Sequence, residues 1–329
     1  MIGIFKQKSP ANILLLLLFG ILVKFPMFLH PHVVERTGEE SSLFSALLDF
    51  LGPRAHSVPV LYPILAFALL YIQAVMLTRF MNNQRMMSPP SYLPGMAYLL
   101  ITSLFPAWNF FSAPLLVNTI LIYVLSALLR IYNQQNVKGT VFNIGMAMGI
   151  ASFLFFPSLS FMIWILLSLV VMRPFRVNEW VLCLVGLTTP FYFYAIYLFI
   201  SESWSWHRLV PHFSIGLPTL GQSAWLAGSA FLIVVPFLAG GYYVQDNLRK
   251  MLIQVRKGWS LLLLYLLGAI FIPFINSQDS FENWVLAGIP FAAFHSCTYL
   301  NARRSIFPLI LFWLTIAFII GYQYFGPRW

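Results

Sequence analysis

The sequence predicts an all-α, polytopic membrane protein: one integral-membrane domain over residues 1–329, with about eleven transmembrane helices and a cytoplasmic N-terminus. Three observations carry that expectation. Apolar residues make up 60% of the chain and charged residues only 9%, against roughly 25% charged in soluble domains. Apolar runs near the ~20 residues needed to cross a bilayer recur from end to end, separated by short polar breaks. The basic residues then fall almost wholly on one side of the layout those runs define, as cytoplasmic loops require.

In order, the runs lie near residues 11–29, 58–80, 92–107, 111–131, 140–156, 158–173, 181–200, 224–244, 259–276, 283–300 and 305–325. Those at 92–107, 140–156 and 158–173 are short, which leaves room for tilted, broken or re-entrant segments. The first run follows Lys6 and Lys8 as a signal peptide would, but Lys24 and Pro26 interrupt it and no small-residue cleavage site follows. It reads as an uncleaved first span.

If every run crosses, fourteen loop cations share one side: Lys6, Lys8, Arg79, Arg85, Arg130, Lys138, Arg173, Arg176, Arg249, Lys250, Arg256, Lys257, Arg303 and Arg304. Arg36, Arg54, Arg208 and Arg328 fall on the other. The net charge of +10 is therefore a topology signal with membrane lipids as the partner, not a nucleic-acid surface. The acids invert the pattern, with Glu35, Glu39, Glu40, Asp49, Glu202, Asp279 and Glu282 outside and only Glu179 and Asp246 inside. Cys183 and Cys297 lie in apolar runs and read as small hydrophobes rather than a disulfide.

Two segments have the pattern of helices lying in the membrane interface. After a cap at Ser41 or Ser42, Leu43, Phe44, Leu47, Leu48 and Leu51 share one face before Gly52-Pro53, expected to end the helix. Leu248, Met251, Leu252 and Val255 recur at helical spacing among Arg249, Lys250, Arg256 and Lys257, which suits an anionic leaflet. Each also fits a plain connector at headgroup level. No internal repeat is evident.

The outer loops hold the candidate chemistry. The first, from His30 through His32, Glu35, Arg36, Glu39 and Glu40, brings three carboxylates and two imidazoles to the outer mouth of span 1. Carboxylates there could serve as general base for an acceptor hydroxyl, or hold a divalent cation that steadies a diphosphate leaving group. The bland alternative is a solvated loop. The second, from Ser201 to Ser223, carries Trp204, Trp206, His207, Arg208 and His212. Its indoles suit a headgroup belt, or stacking on a sugar or prenyl chain, and its cations suit a phosphate. Lys24, about four residues from the outer end of its span, either snorkels to the headgroups or turns inward toward a carboxylate such as Glu35 or Glu282. His295 reads as a packed histidine, and the six histidines match no metal spacing.

Two stretches carry a resemblance. Ile4-Phe5-Lys6 with Ser9-Pro10-Ala11-Asn12, and Arg173-Pro174-Phe175-Arg176-Val177-Asn178-Glu179-Trp180 followed by Gly186-Leu187-Thr188-Thr189-Pro190-Phe191-Tyr192, resemble a family of multi-pass inner-membrane proteins of the Bacteroidota. These motifs assign no chemistry. Physically, Arg176 is positioned to pair with Glu179 in a tight turn, and Pro190 is expected to kink its span.

The order of span 1, acidic outer loop, interfacial helix and many close spans is also similar to membrane glycosyltransferases that use polyprenyl-phosphate sugars. In that group an outer-loop Asp or Glu near span 1 is catalytic base or metal contact, which maps here onto Glu35, Glu39 or Glu40. The first loop here is short and lacks a paired Asp-Asp or Asp-Glu motif, and no outer domain is expected after the last span. The resemblance implies glycosyl transfer on a lipid-linked glycan in envelope biogenesis at the bacterial inner membrane. A transporter, or a non-catalytic scaffold of a membrane assembly, fits the same composition. For an ion-coupled pump the polar set within the spans, chiefly Gln73, Asn118, Asn143, Thr188 and Thr189, is thin.

Overall fold

The computed structural model describes residues 2–7, 9–34, 40–209, 216, 223–275, 281–302 and 306–326, leaving out the side chains of 55–57, 207 and 324. Its α-helices are α1 (Ile2–Phe5), α2 (Ala11–Val23), α3 (Pro26–Leu29), α4 (Ser42–Ser57), α5 (Leu61–Asn83), α6 (Leu93–Ser103), α7 (Ala113–Arg130) and α8 (Lys138–Leu154). They continue as α9 (Phe161–Met172), α10 (Val177–Ile200), α11 (Trp206–Leu209), α12 (Ala224–Asn247), α13 (Ile253–Phe271), α14 (Gly288–Asn301) and α15 (Ile306–Phe325). Among the described residues there is no β-strand.

Helices α5, α7, α10, α12, α13 and α15 are long and apolar enough to cross a membrane. Large apolar side chains such as Leu22, Ile163, Phe193, Leu238, Leu267 and Ile310 lie exposed on several helices. Water would not tolerate so much contiguous apolar surface, and lipid does. The chain is a multi-pass membrane protein by this criterion.

The other five apolar runs form shorter helices, and proline explains most of the shortening. Helix α6 stops because Phe105, which precedes Pro106, is held at φ −123°, ψ 120°. A 3-10 turn over Pro106–Asn109 follows, and another over Phe156–Ser160 separates α8 from α9. At about 1.5 Å per residue, α6 is roughly 16 Å long, half the hydrocarbon thickness. Every one of its residues is buried. It packs between α5 and α14, the second of which is short and almost entirely buried as well. Tyr98 and Thr102 of α6 face Gly288 at the start of α14, so the two short helices meet at one level of the bundle.

Around this centre, α12 closes on α14 beside the proline inside α12. Pro236 has no N–H to give to its own helix, and α14 supplies donors nearby. His295 Nε2 lies 2.8 Å from the Ile233 carbonyl, and Thr298 Oγ1 donates to the Pro236 carbonyl at 2.6 Å. A carbonyl only accepts, so His295 carries its proton on Nε2. On the opposite flank, α8 and α10, separated in sequence by α9, run parallel with backbones that nearly touch. A Cβ added at Gly145 would lie 2.0 Å from the Cys183 carbonyl oxygen, and one at Gly186 2.3 Å from that of Phe142. Both cysteines are buried free thiols.

The end of the bundle that gathers the loop cations is closed by side chains. Arg173 Nη1 donates to the carbonyls of Ile131 and Gln134, while its Nε sits 3.4 Å from Glu179 Oε2. Lys257 reaches the Met172 carbonyl and lies over the Tyr132 ring. Cations at helix C-termini meet the negative end of the helix dipole. The expected Glu179 partner was Arg176. Arg173 takes that place because the turn buries it beside Glu179 and leaves Arg176 exposed. Asn82 clamps the same end through two bonds with the Ser91 backbone. Asn12 holds the Ile4 and Gln7 carbonyls, and Tyr92 N–H donates to the Phe5 carbonyl. The motif residues Phe5, Asn12, Arg173 and Glu179 are thus parts of this closure.

Two interfacial-helix expectations change. Gly52-Pro53 does not end α4, which runs on to Ser57, because the hydrogen bond that Pro53 forfeits falls on an exposed turn. Phe44 and Leu48 face the core, whereas Leu43 is exposed. The basic segment around Leu248 is not one helix: a 3-10 turn over Leu248–Lys250 ends α12, and Met251 and Leu252 link it to α13.

Candidate functional site

The opposite end, which bears the two long loops, is built differently. Four 3-10 segments occupy it: Pro106–Asn109, Phe156–Ser160, Ile272–Phe274 and Phe281–Ala287. They touch in a row, the first on the fourth, the fourth on the third, the third on the second. Such turns leave more backbone groups to be satisfied by side chains than α-helices do.

Both candidate loops are anchored on this row. The Phe156 N–H donates to Ser41 Oγ at 2.9 Å, so the expected cap residue of α4 spends its hydroxyl on the Phe156–Ser160 segment. The Gly216 N–H donates to the Phe274 carbonyl at 3.0 Å. His32 stacks on Phe110 with ring centroids 4.3 Å apart. Of the candidate carboxylates, Glu40 immediately precedes Ser41, while Glu35 and Glu39 lie outside the described residues, as does His212. Trp204 and Trp206 are exposed, edge to face at 5.4 Å, just beyond the end of α10. Arg208 is exposed on α11, its Nη1 3.4 Å from the Ser203 carbonyl, and His207 belongs to the same short helix. Among the described residues no group of three or more His, Cys, Asp or Glu side chains could hold a metal ion.

Lys24 turns inward, as one of the two sequence alternatives had it, and Glu35, one of the carboxylates expected to meet it, lies outside the described residues. The Lys24 side chain is 1% exposed, and its partners among the described residues are neutral: Nζ donates to Thr102 Oγ1 at 3.0 Å and to Asn109 Oδ1. Asn109 belongs to the first 3-10 segment. Beside it, the Phe105 ring lies tilted against those of Trp108 and Phe281, each at a centroid distance of 4.7 Å, and Trp108 Nε1 donates to the Phe281 carbonyl. Glu282 follows on the fourth segment, where burial pushes its carboxyl up to about 7.

A second polar cluster lies one helical turn deeper on α6. Gln73 Nε2 donates to the Leu115 carbonyl and to Thr119 Oγ1, which turns its Oε1 toward the Tyr98 hydroxyl. Tyr98 in turn accepts from Asn118 Nδ2, which also donates to the Val285 carbonyl. The carbonyl contacts fix both amides, so Asn118 Oδ1 is left buried without a donor. Gln73 and Asn118 stood out as isolated polar residues in their spans. Their convergence was not readable, because Tyr98, which joins them, looks like any aromatic in an apolar run.

No protein-family model, curated protein or solved structure matches the chain.

Proposed function

We propose that this protein is a glycosyltransferase-like member of the bacterial inner membrane, acting in envelope biogenesis on a polyprenyl-phosphate-linked sugar at the outer leaflet. In this reading the cation-rich end is cytoplasmic, as the positive-inside rule directs, and the loop end faces outward. Glu35, Glu39 or Glu40 serves as general base or as ligand to a divalent cation. Arg208, with His207 or His212, meets the phosphate, while Trp204 and Trp206 pack on the sugar or prenyl chain. The observation that supports it is the anchoring of both loops, through Ser41 and Gly216, on 3-10 segments that touch each other. The test is replacement of Glu39 and Glu40 together by Gln in the host. Loss of envelope polysaccharide at undiminished protein abundance is expected. Unchanged glycans, with the deletion strain defective, would overturn the mechanism.

A transporter reading is favoured by a separate observation. Helices α6 and α14 are short, buried and adjoin the Gln73–Tyr98–Asn118 cluster, an arrangement in which interrupted helices line a substrate site. Uptake of a candidate solute into proteoliposomes that is lost in Asn118→Leu supports it, and the absence of any uptake opposes it.

A further inference from the structure

Lys24 is a buried cation for which the reading above has no use. An ammonium carries three N–H donors, and Thr102 and Asn109 take two of them. Each acceptor is held in place by its own helix or turn: Thr102 Oγ1 donates to the Tyr98 carbonyl at 2.9 Å, and Asn109 Nδ2 reaches the Phe105 carbonyl at 3.5 Å. Both therefore present lone pairs to Nζ and neither can neutralise it. Among the described residues no carboxylate stands within ion-pair distance of Lys24. Among the described residues Lys24 thus has neutral partners only, and an intramembrane ionisable group of this kind marks a place where an opposite charge is received.

The surroundings narrow the class of anion. Asn109 sits in the row of 3-10 segments to which both loops are tied. On the same turn, Phe105 and Trp108 build an apolar wall with Phe281. A point cation beside an aromatic wall, at the end of a membrane bundle, suits a phosphate carried on a hydrocarbon chain.

We propose that Lys24, Thr102 and Asn109 form an anion subsite that takes an oxygen of a phosphate group, supplied by the lipid-linked substrate. The source of the phosphate rests on the function proposed above; the anion chemistry does not. In the complex the third Nζ donor points to the phosphate, and the two neutral acceptors hold the ammonium in register without competing for its charge.

The experiment uses the purified full chain in nanodiscs with three probes: a polyprenyl phosphate, the corresponding polyprenol and inorganic phosphate. The wild type is expected to prefer the phosphate over the alcohol, and Lys24→Met to weaken phosphate binding by about tenfold or more, with polyprenol binding unchanged. Asn109→Leu and Thr102→Val, which remove no charge, are expected to weaken it by a smaller factor. They keep the proposal open to refutation if Lys24→Met fails to fold. Phosphate binding that depends on Arg208 but not on Lys24 overturns the subsite and leaves the proposed function standing. Lys24-dependent binding of inorganic phosphate alone upholds the subsite and removes the lipid-linked source. Equal loss of folding in Lys24→Met and Glu35→Gln, with phosphate binding intact in the other variants, identifies an internal ion pair and overturns the proposal.

Discussion

The two ends of this bundle solve the same problem, the termination of many helices within a small area, in opposite ways. At the cation-rich end side chains close on the backbone and on one another, while Arg173 Nε, beside Glu179, and Ser91 Oγ are buried without a hydrogen bond among the described residues. Arg173 joins two backbone carbonyls and Glu179, Lys257 caps Met172, and Asn82 closes on Ser91. At the loop end the helices give way to 3-10 turns, Lys24 has neutral partners among the described residues, and the half-buried Glu282 carboxyl is pushed up to about 7. Arg173 has a carboxylate beside it, whereas the partners of Lys24 among the described residues are neutral, which is the contrast on which the proposed anion subsite rests.

The comparison is sharpest where it predicts unequal costs. Arg173→Ala should be the most damaging substitution, by about 3 kcal/mol or more, since it strands the buried Glu179 carboxylate and two carbonyls. Thermal unfolding in detergent measures this, and a loss comparable to that of a surface substitution would break the contrast. Asn82→Ala removes two bonds of the same network and should cost about 2 kcal/mol in the same assay. At the loop end, Ser41→Ala strips the acceptor from the Phe156 N–H and should cost about 1 kcal/mol. Its signature is earlier proteolytic cleavage in the first loop.

Glu282 gives a pH arm to the comparison. Its folded value of about 7 exceeds the ordinary 4.5, so the folded state holds the proton more tightly than the unfolded one. Stability is therefore greatest below about pH 4.5, falls as pH rises to about 7 and is level above. Glu282→Gln should flatten that limb, and an unaltered pH profile would remove Glu282 as its source. The smallest effect is expected for Lys24→Met. The substitution removes the desolvation cost of the ammonium together with its two hydrogen bonds, and these offset to a net change of about 1 kcal/mol or less. A loss as large as that of Arg173→Ala would make Lys24 part of the scaffold instead of a binding group.

Much of the architecture was legible in advance, and the reason is solvent. Each apolar run must bury its backbone polar groups within its own helix, so hydropathy located a helix in every one of the eleven runs. Where helices would stop was less legible. Pro106 and Pro157 carried a local signal that α6 and α8 end early, but Pro53, Pro190 and Pro236 lie inside continuous helices. A proline removes one hydrogen bond, and whether that ends a helix depends on what surrounds the freed carbonyl.

The sequence by itself determined the all-helical class, the apolar runs and the gathering of cations at one end, because each follows from side-chain polarity summed over a window. Only the tertiary structure decided which polar residues meet. Lys24 chose Thr102 and Asn109, Glu179 chose Arg173, and Gln73 found Tyr98 and Asn118. Partners drawn from separate helices are set by packing of the whole bundle, and no window of sequence contains that information.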